Sequence, residues 1–149
     1  MSPERRPTEE VEDLAAEVEG EGIFVIRGSG THRGWNNIRY KTGLSAKNVP
    51  ARRLSMNVAT IPPGGVAYAH IHQDFEVMLY ILEGRVRHEY GENLAQVVEN
   101  QAGDFIFIEP GVPHEVLNLS DSDPVVAVVA RSDASEWENI VDYPSRRRG

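Results

Sequence analysis

The chain of 149 residues contains no cysteine. That excludes disulfide bonds, a thiolate-held zinc or iron–sulfur cluster and a cysteine nucleophile, so any metal must be held by histidine, carboxylate or amide groups. Long hydrophobic runs are also missing. The longest, Val125 to Ala130, is far short of the about 20 residues that a membrane span requires. Residues 1–22 are acidic rather than basic-then-apolar, so no secretory signal is visible. Positive charge is scarce, with 15 Lys and Arg against 23 Asp and Glu and a formal net charge of −8. This disfavours binding to a phosphate backbone. The single basic run, Arg146-Arg147-Arg148, reads as a solvated, frayed tail. The expectation is a soluble, cytoplasmic protein with a small-molecule partner and neither nucleic acid nor membrane as partner. At 40% hydrophobic residues the chain has enough apolar content for one folded domain.

What is present divides into three stretches: a polar N-terminal segment (1–22), a strand-rich body (23–143) and the basic tail (144–149). In the first, Val11, Leu14, Ala15 and Val18 follow helical spacing and predict one short amphipathic helix. From Ile23 onward, short runs of Val, Ile, Phe and Tyr alternate with Gly, Pro, Asn and Asp, the pattern of an all-β sandwich or barrel. The expected strands are 23–27, 37–42, 54–61, 76–82, 85–90, 94–98, 104–108, 114–118 and 125–130. Turn signals such as Pro62-Pro63-Gly64-Gly65, Glu83-Gly84 and Pro110-Gly111 separate them. The stretch 132–143 reads either as a short helix or as an extended cover strand.

Four side chains stand out as potential ligands: His70, His72 and Glu76, then His114. If the segment stays extended, side-chain alternation puts His70, His72, Asp74 and Glu76 on one face, continued by Met78, Tyr80 and Leu82, with Ile71, Val77, Leu79 and Ile81 opposite. Two imidazoles and a carboxylate from one strand, joined by an imidazole from a neighbour, suit Fe(II), Mn(II), Zn(II), Ni(II) or Cu(II) with positions left open for water and substrate.

The run Gly64, His70-x-His72, Glu76 and Gly84, followed by Gly103, Glu109-Pro110-Gly111, His114 and Asn118, resembles the paired motifs of the cupin superfamily. The similarity extends over about residues 36–142, toward the small single-domain cupins labelled mannose-6-phosphate-isomerase-like. Two departures stand out. The gap from Glu76 to Gly84 is one residue longer than usual, which a β-bulge can absorb, and Glu109 replaces the usual proline of its turn. The resemblance implies a double-stranded β-helix (jelly-roll) barrel with His70, His72, Glu76 and His114 as metal ligands and Asn118 closing the second motif. It also implies a homodimer formed by exchange of an N-terminal strand, for which Ile23–Ile26 has the apolar character. Glu76 has the alternative role of a carboxylate orienting a histidine.

In Arg85-Val86-Arg87-His88-Glu89-Tyr90 alternation turns Val86, His88 and Tyr90 inward, leaving His88 as a fourth imidazole, a general base or a wall residue. His88 and Glu76 are the catalytic candidates. His32 lies in a polar stretch and is expected to be exposed. Met78, Tyr80, Phe105 and Phe107 are candidates by parity for the cavity wall, and Arg39, Arg52 and Arg53, near expected strands, give only poor support for a sugar-phosphate substrate. The function implied is that of a mononuclear metalloenzyme acting on a small hydrophobic or aromatic oxygenated substrate. It would be a dioxygenase with a redox metal such as iron, or a Lewis-acid isomerase or polyketide cyclase with zinc or manganese. The reading from another class is a non-catalytic metal- or small-molecule-binding cupin.

Overall fold

In the computed structural model, the described residues are 10–11, 18–27, 30–33, 38–135 and 139–147. They form fourteen strands: β1 (Glu10–Val11), β2 (Val18–Glu21), β3 (Ile23–Ile26), β4 (Thr31–Arg33), β5 (Arg39–Leu44), β6 (Ser55–Ile61), β7 (Val66–His72), β8 (Val77–Glu83), β9 (Arg85–Tyr90), β10 (Gln96–Gln101), β11 (Phe105–Ile108), β12 (His114–Asn118), β13 (Val125–Arg131) and β14 (Ile140–Asp142). A seven-stranded sheet in the order β1-β4-β5-β6-β13-β8-β11 faces a five-stranded sheet in the order β10-β9-β12-β7-β14, and β2 pairs with β3 in a separate hairpin. All pairings are antiparallel. This is the expected all-β jelly-roll barrel. The N-terminal helix falls mostly on 12–17, outside the described residues, while its flanks Glu10–Val11 and Val18–Glu21 are strands. The 132–143 stretch contributes the cover strand β14.

The core lies between the two sheets and follows strand alternation. On the long sheet the inward residues are Tyr40 of β5, Ala59 and Ile61 of β6, Val77 and Ile81 of β8, and Val125, Ala127 and Val129 of β13. The short sheet supplies Ala67, Val86 and Ile140. β13 is apolar on both faces because it is an interior strand, paired with β6 on one side and β8 on the other.

The sequence parity fails at one corner. Residues 73–76 do not prolong β7; they carry the chain from the short sheet to the long one, with Asp74 in the left-handed region at φ 62°. Crossing between sheets resets which residues point inward. Phe75 is buried and Glu76 exposed, and on β8 it is Val77, Leu79 and Ile81 that face the core. Met78 and Phe105, expected on the cavity wall, are therefore 56% and 81% exposed on the outer face, where Tyr80 packs its ring against Phe105 with centroids 4.5 Å apart. Phe107 is also exposed, at the rim of a surface hollow.

The basic tail is not a frayed end. Arg147 lies against the outside of the short sheet, its guanidinium bonded to the carboxylates of Glu89 and Glu115. Residues 148–149 lie outside the described region.

Candidate metal centre

β7 and β12 are neighbours, and their register sets His114 opposite His70. His72 lies two residues along β7, so alternation returns it to the same side. The three imidazoles are buried, and one ring nitrogen from each falls within 4.8 Å of the others. Ring centroids are 5.0 Å apart for His70 and His72, 4.4 Å for His70 and His114, and 4.7 Å for His72 and His114.

Their hydrogen bonds define how the rings are protonated. His70 Nδ1 lies 2.7 Å from the Tyr68 carbonyl oxygen and His114 Nδ1 lies 3.0 Å from that of Val112. A carbonyl can only accept, so each Nδ1 carries the proton and each Nε2 keeps a lone pair directed away from the backbone. His72 Nδ1 is buried with no hydrogen-bond partner. Burial, reinforced by the neighbouring His114, His70 and Arg131, holds the His72 pKa well below the usual value. Burial likewise lowers His114 to about 4, against the raising effect of its bond to Val112. Three buried imidazoles with ring nitrogens this close together, two of them with Nδ1 held by a backbone carbonyl, are a donor set that suits a divalent transition ion. The three residues fit such an ion.

Glu76 is not part of this group. Its side chain is exposed, and its backbone is held on the far side of the corner: the Glu76 N–H donates to Ser132 Oγ at 2.8 Å, and the Ser132 N–H donates to the Glu76 carbonyl at 3.0 Å. Phe75 occupies the inward position, its ring centroid 4.9 Å from that of His72. Glu109 is exposed at the rim of a hollow, and the His32 side chain lies outside the described region.

His88 stands on β9, opposite Val116, and is 4% exposed. Neither of its ring nitrogens has a hydrogen-bond partner. Burial, then repulsion from His114, lowers its pKa to about 4, while nearby Asn100 pulls it upward without reaching hydrogen-bonding geometry. His88 lies outside the three-imidazole group but lines the same cavity, of about 80 Å³. His88 and His114 also border a second hollow of about 260 Å³, lined by Tyr90, Val98, Ile106, Phe107, Val112 and Glu109.

One functional candidate escaped the sequence reading. Arg131, at the end of β13, is 4% exposed and lines the inner cavity with the histidines. Its Nη1 donates to Asn57 Oδ1 at 3.1 Å, and its guanidinium carbon lies 5.8 Å from the centre of the Tyr40 ring. The signal was available: Arg131 continues the inward parity of Val125, Ala127 and Val129. The rest of the cavity wall is apolar, from residues such as Leu79, Ile81 and Val86.

The sequence profile of the Cupin domain family matches residues 57–131. No curated protein matches significantly. Among solved structures, the polyketide cyclase RemF from Streptomyces resistomycificus is similar at TM-score 0.61 and 19% identity, over 92% of this chain and 87% of that one. The cupin domain of Schizosaccharomyces pombe Cnp3 aligns at TM-score 0.60 and 9% identity, over 76% and 79%. Oxalate decarboxylase from Lactobacillus farciminis aligns at TM-score 0.59 and 21% identity, over 71% of this chain and 31% of the enzyme. At these identities the likeness concerns the fold.

Proposed function

The chain belongs to the cupin family, and from that premise we propose that it is a mononuclear metal-dependent enzyme acting on a small, largely apolar, oxygenated substrate by Lewis-acid and proton-transfer chemistry. The observation that carries this reading is the buried group of His70, His72 and His114 at the wall of an apolar cavity that also holds His88. When bound, a divalent ion supplies Lewis acidity toward a substrate oxygen, or one-electron chemistry where the ion is redox-active. Three neutral ligands with no carboxylate leave the charge of the ion undiminished, which favours the first over the second and zinc over iron. His88, neutral at pH 7 and unpartnered, takes a proton from a carbon next to a polarised carbonyl and returns it elsewhere on the substrate. Arg131 orients an anionic or strongly polar end. The apolar wall keeps water from the reacting atoms. A cavity of about 80 Å³ holds only a few non-hydrogen atoms, so the body of a larger substrate lies in the adjoining hollow among Val98, Ile106 and Phe107.

This reading makes the chain an isomerase or cyclase, the kind of activity borne by the RemF polyketide cyclase. The test is solvent-deuterium incorporation into a panel of small aromatic β-diketones and β-keto acids, followed by NMR. Metal-dependent exchange that is lost in His88→Gln supports the proposal. Metal-dependent oxygen uptake in place of exchange favours the dioxygenase reading. A metal that raises Tm without any exchange favours the non-catalytic binding cupin. The same reading proposes a homodimer. On the outer face of the long sheet, Phe107, Met78, Ala130 and Met56 form one row across four adjacent strands, and Phe105, Tyr80, Val128 and Val58 form another. An apolar face of this kind suits pairing with a second copy.

A further inference from the structure

β7 and β12 pair out of step: His114 faces His70, but Val116 faces Ala67. Two residues of β7, Tyr68 and Ala69, therefore stand opposite the single residue Glu115. This is a β-bulge, and it lies immediately beside the facing pair His70 and His114, between that pair and Ala67–Val116. Bulges set the direction of the side chains beside them, so whatever holds this one sets the spacing of two imidazoles.

Glu115 holds it. Its carboxylate is fully buried, and Oε2 accepts the Ala69 N–H at 3.1 Å. A buried carboxylate is costly unless it is paired and hydrogen-bonded, and here the partners come from the C-terminal end of the chain. The Ser145 hydroxyl donates to Oε2, and Arg147 Nη1 donates to Oε1 at 2.7 Å. Arg147 is itself anchored by a fork onto Glu89, at 2.7 and 3.0 Å. The backbone of the same segment runs along the ligand strand: β14 pairs with His70–His72, the Gln73 N–H donates to the Asn139 carbonyl, and the Tyr143 N–H donates to that of Ala69.

We propose that Ser145 and Arg147 form a clasp which, through Glu115 and the Ala69 bulge, fixes the His70–His114 spacing; they are positioning residues for the metal proposed above, and the inference rests on that reading. A ligand set must hold its donors to within a few tenths of an ångström. Without Arg147 the Glu115 carboxylate loses its counter-charge in a buried site, and the bulge is free to shift.

The experiment titrates Co²⁺ against a competing chelator into the tag-free full chain and follows the cobalt absorption spectrum. The proteins compared are the wild type, Arg147→Ala, Glu115→Gln and Arg147→Lys, with melting curves recorded alongside. Arg147→Ala and Glu115→Gln are expected to weaken Co²⁺ binding about tenfold and to alter the spectrum, with Arg147→Lys recovering part of both. Wild-type affinity and spectrum in Arg147→Ala, with only Tm lowered, overturn the clasp while leaving the metal centre intact. If Arg147→Ala does not fold, Ser145→Ala decides: an altered cobalt spectrum supports the clasp and a wild-type spectrum overturns it. A wild-type protein that takes up no Co²⁺ contradicts the metal reading itself, and the clasp with it.

Discussion

His88 and His114 are buried as neutral rings, and that has a direct consequence for stability. Unfolded, each ring takes up a proton near the usual histidine value; folded, neither does so until about pH 4. Between those limits the unfolded chain binds more protons, so the stabilisation is complete above the ordinary histidine pKa and is lost as pH falls toward 4. The upper bound is about 3 kcal/mol per ring. Urea unfolding of the metal-free protein from pH 7.5 to 4.5 checks this. The midpoint is expected to fall on acidification, with a shallower slope in His88→Leu; a flat profile contradicts the assignment. Glu76 gives the opposite kind of prediction. Its exposed side chain lies outside the imidazole group, so Glu76→Gln is expected to leave zinc affinity unchanged within about twofold, whereas His72→Ala, which removes one of the three proposed ligands, is expected to abolish tight binding. Isothermal titration separates the two. Asn118 is buried with its amide donating to the carbonyls of Ile61, Pro62 and Asp123 and its Oδ1 accepting the Ser120 N–H. Asn118→Ala leaves these buried groups unmatched and is expected to cost about 2–3 kcal/mol in denaturant unfolding without loss of metal.

At the scale of elements, β7 (Val66–His72), which carries two of the histidines, was not among the expected strands, but most strands and turns of the body were legible because each is written locally. Gly84 shows why: its φ of 94° suits glycine, and a Cβ there would meet the Pro124 carbonyl oxygen at 2.6 Å, so Glu83-Gly84 marks the β8–β9 turn plainly. His70, His72 and His114 were legible as a group because short spacing along one strand and a turn before another carry the information. The placement of Glu76, Met78 and Phe105 was not, because parity holds within a strand and breaks where the chain changes sheets. Gln73-Asp74 was the available sign of that corner, whereas the extra residue before Gly84 is absorbed farther along, at Leu82, where β8 bulges against Val126 and Ala127 of β13. The clasp was illegible for a different reason. Nothing local to Ser145 or Arg147 points to Glu115, thirty residues away and more, and a basic run at a chain end reads as solvent-exposed until the fold brings carboxylates under it.

For the whole molecule, a net charge of −8 and an outward apolar face combine to favour a discrete pair over open-ended association. The β2–β3 hairpin is marginal as an isolated two-stranded unit, and its Ile23 is 80% exposed. Sedimentation at micromolar concentration is expected to report a dimer, and Phe105→Glu/Phe107→Glu a monomer; a monomeric wild type contradicts the proposed pairing. The central claim is tested most directly by the metal content of tag-free protein purified without added metal, measured beside the His70→Ala/His114→Ala double variant. The account predicts close to one divalent ion per chain in the wild type, zinc foremost, and its loss in the variant. Equal metal in both proteins, or no uptake by the wild type even on reconstitution, would contradict it.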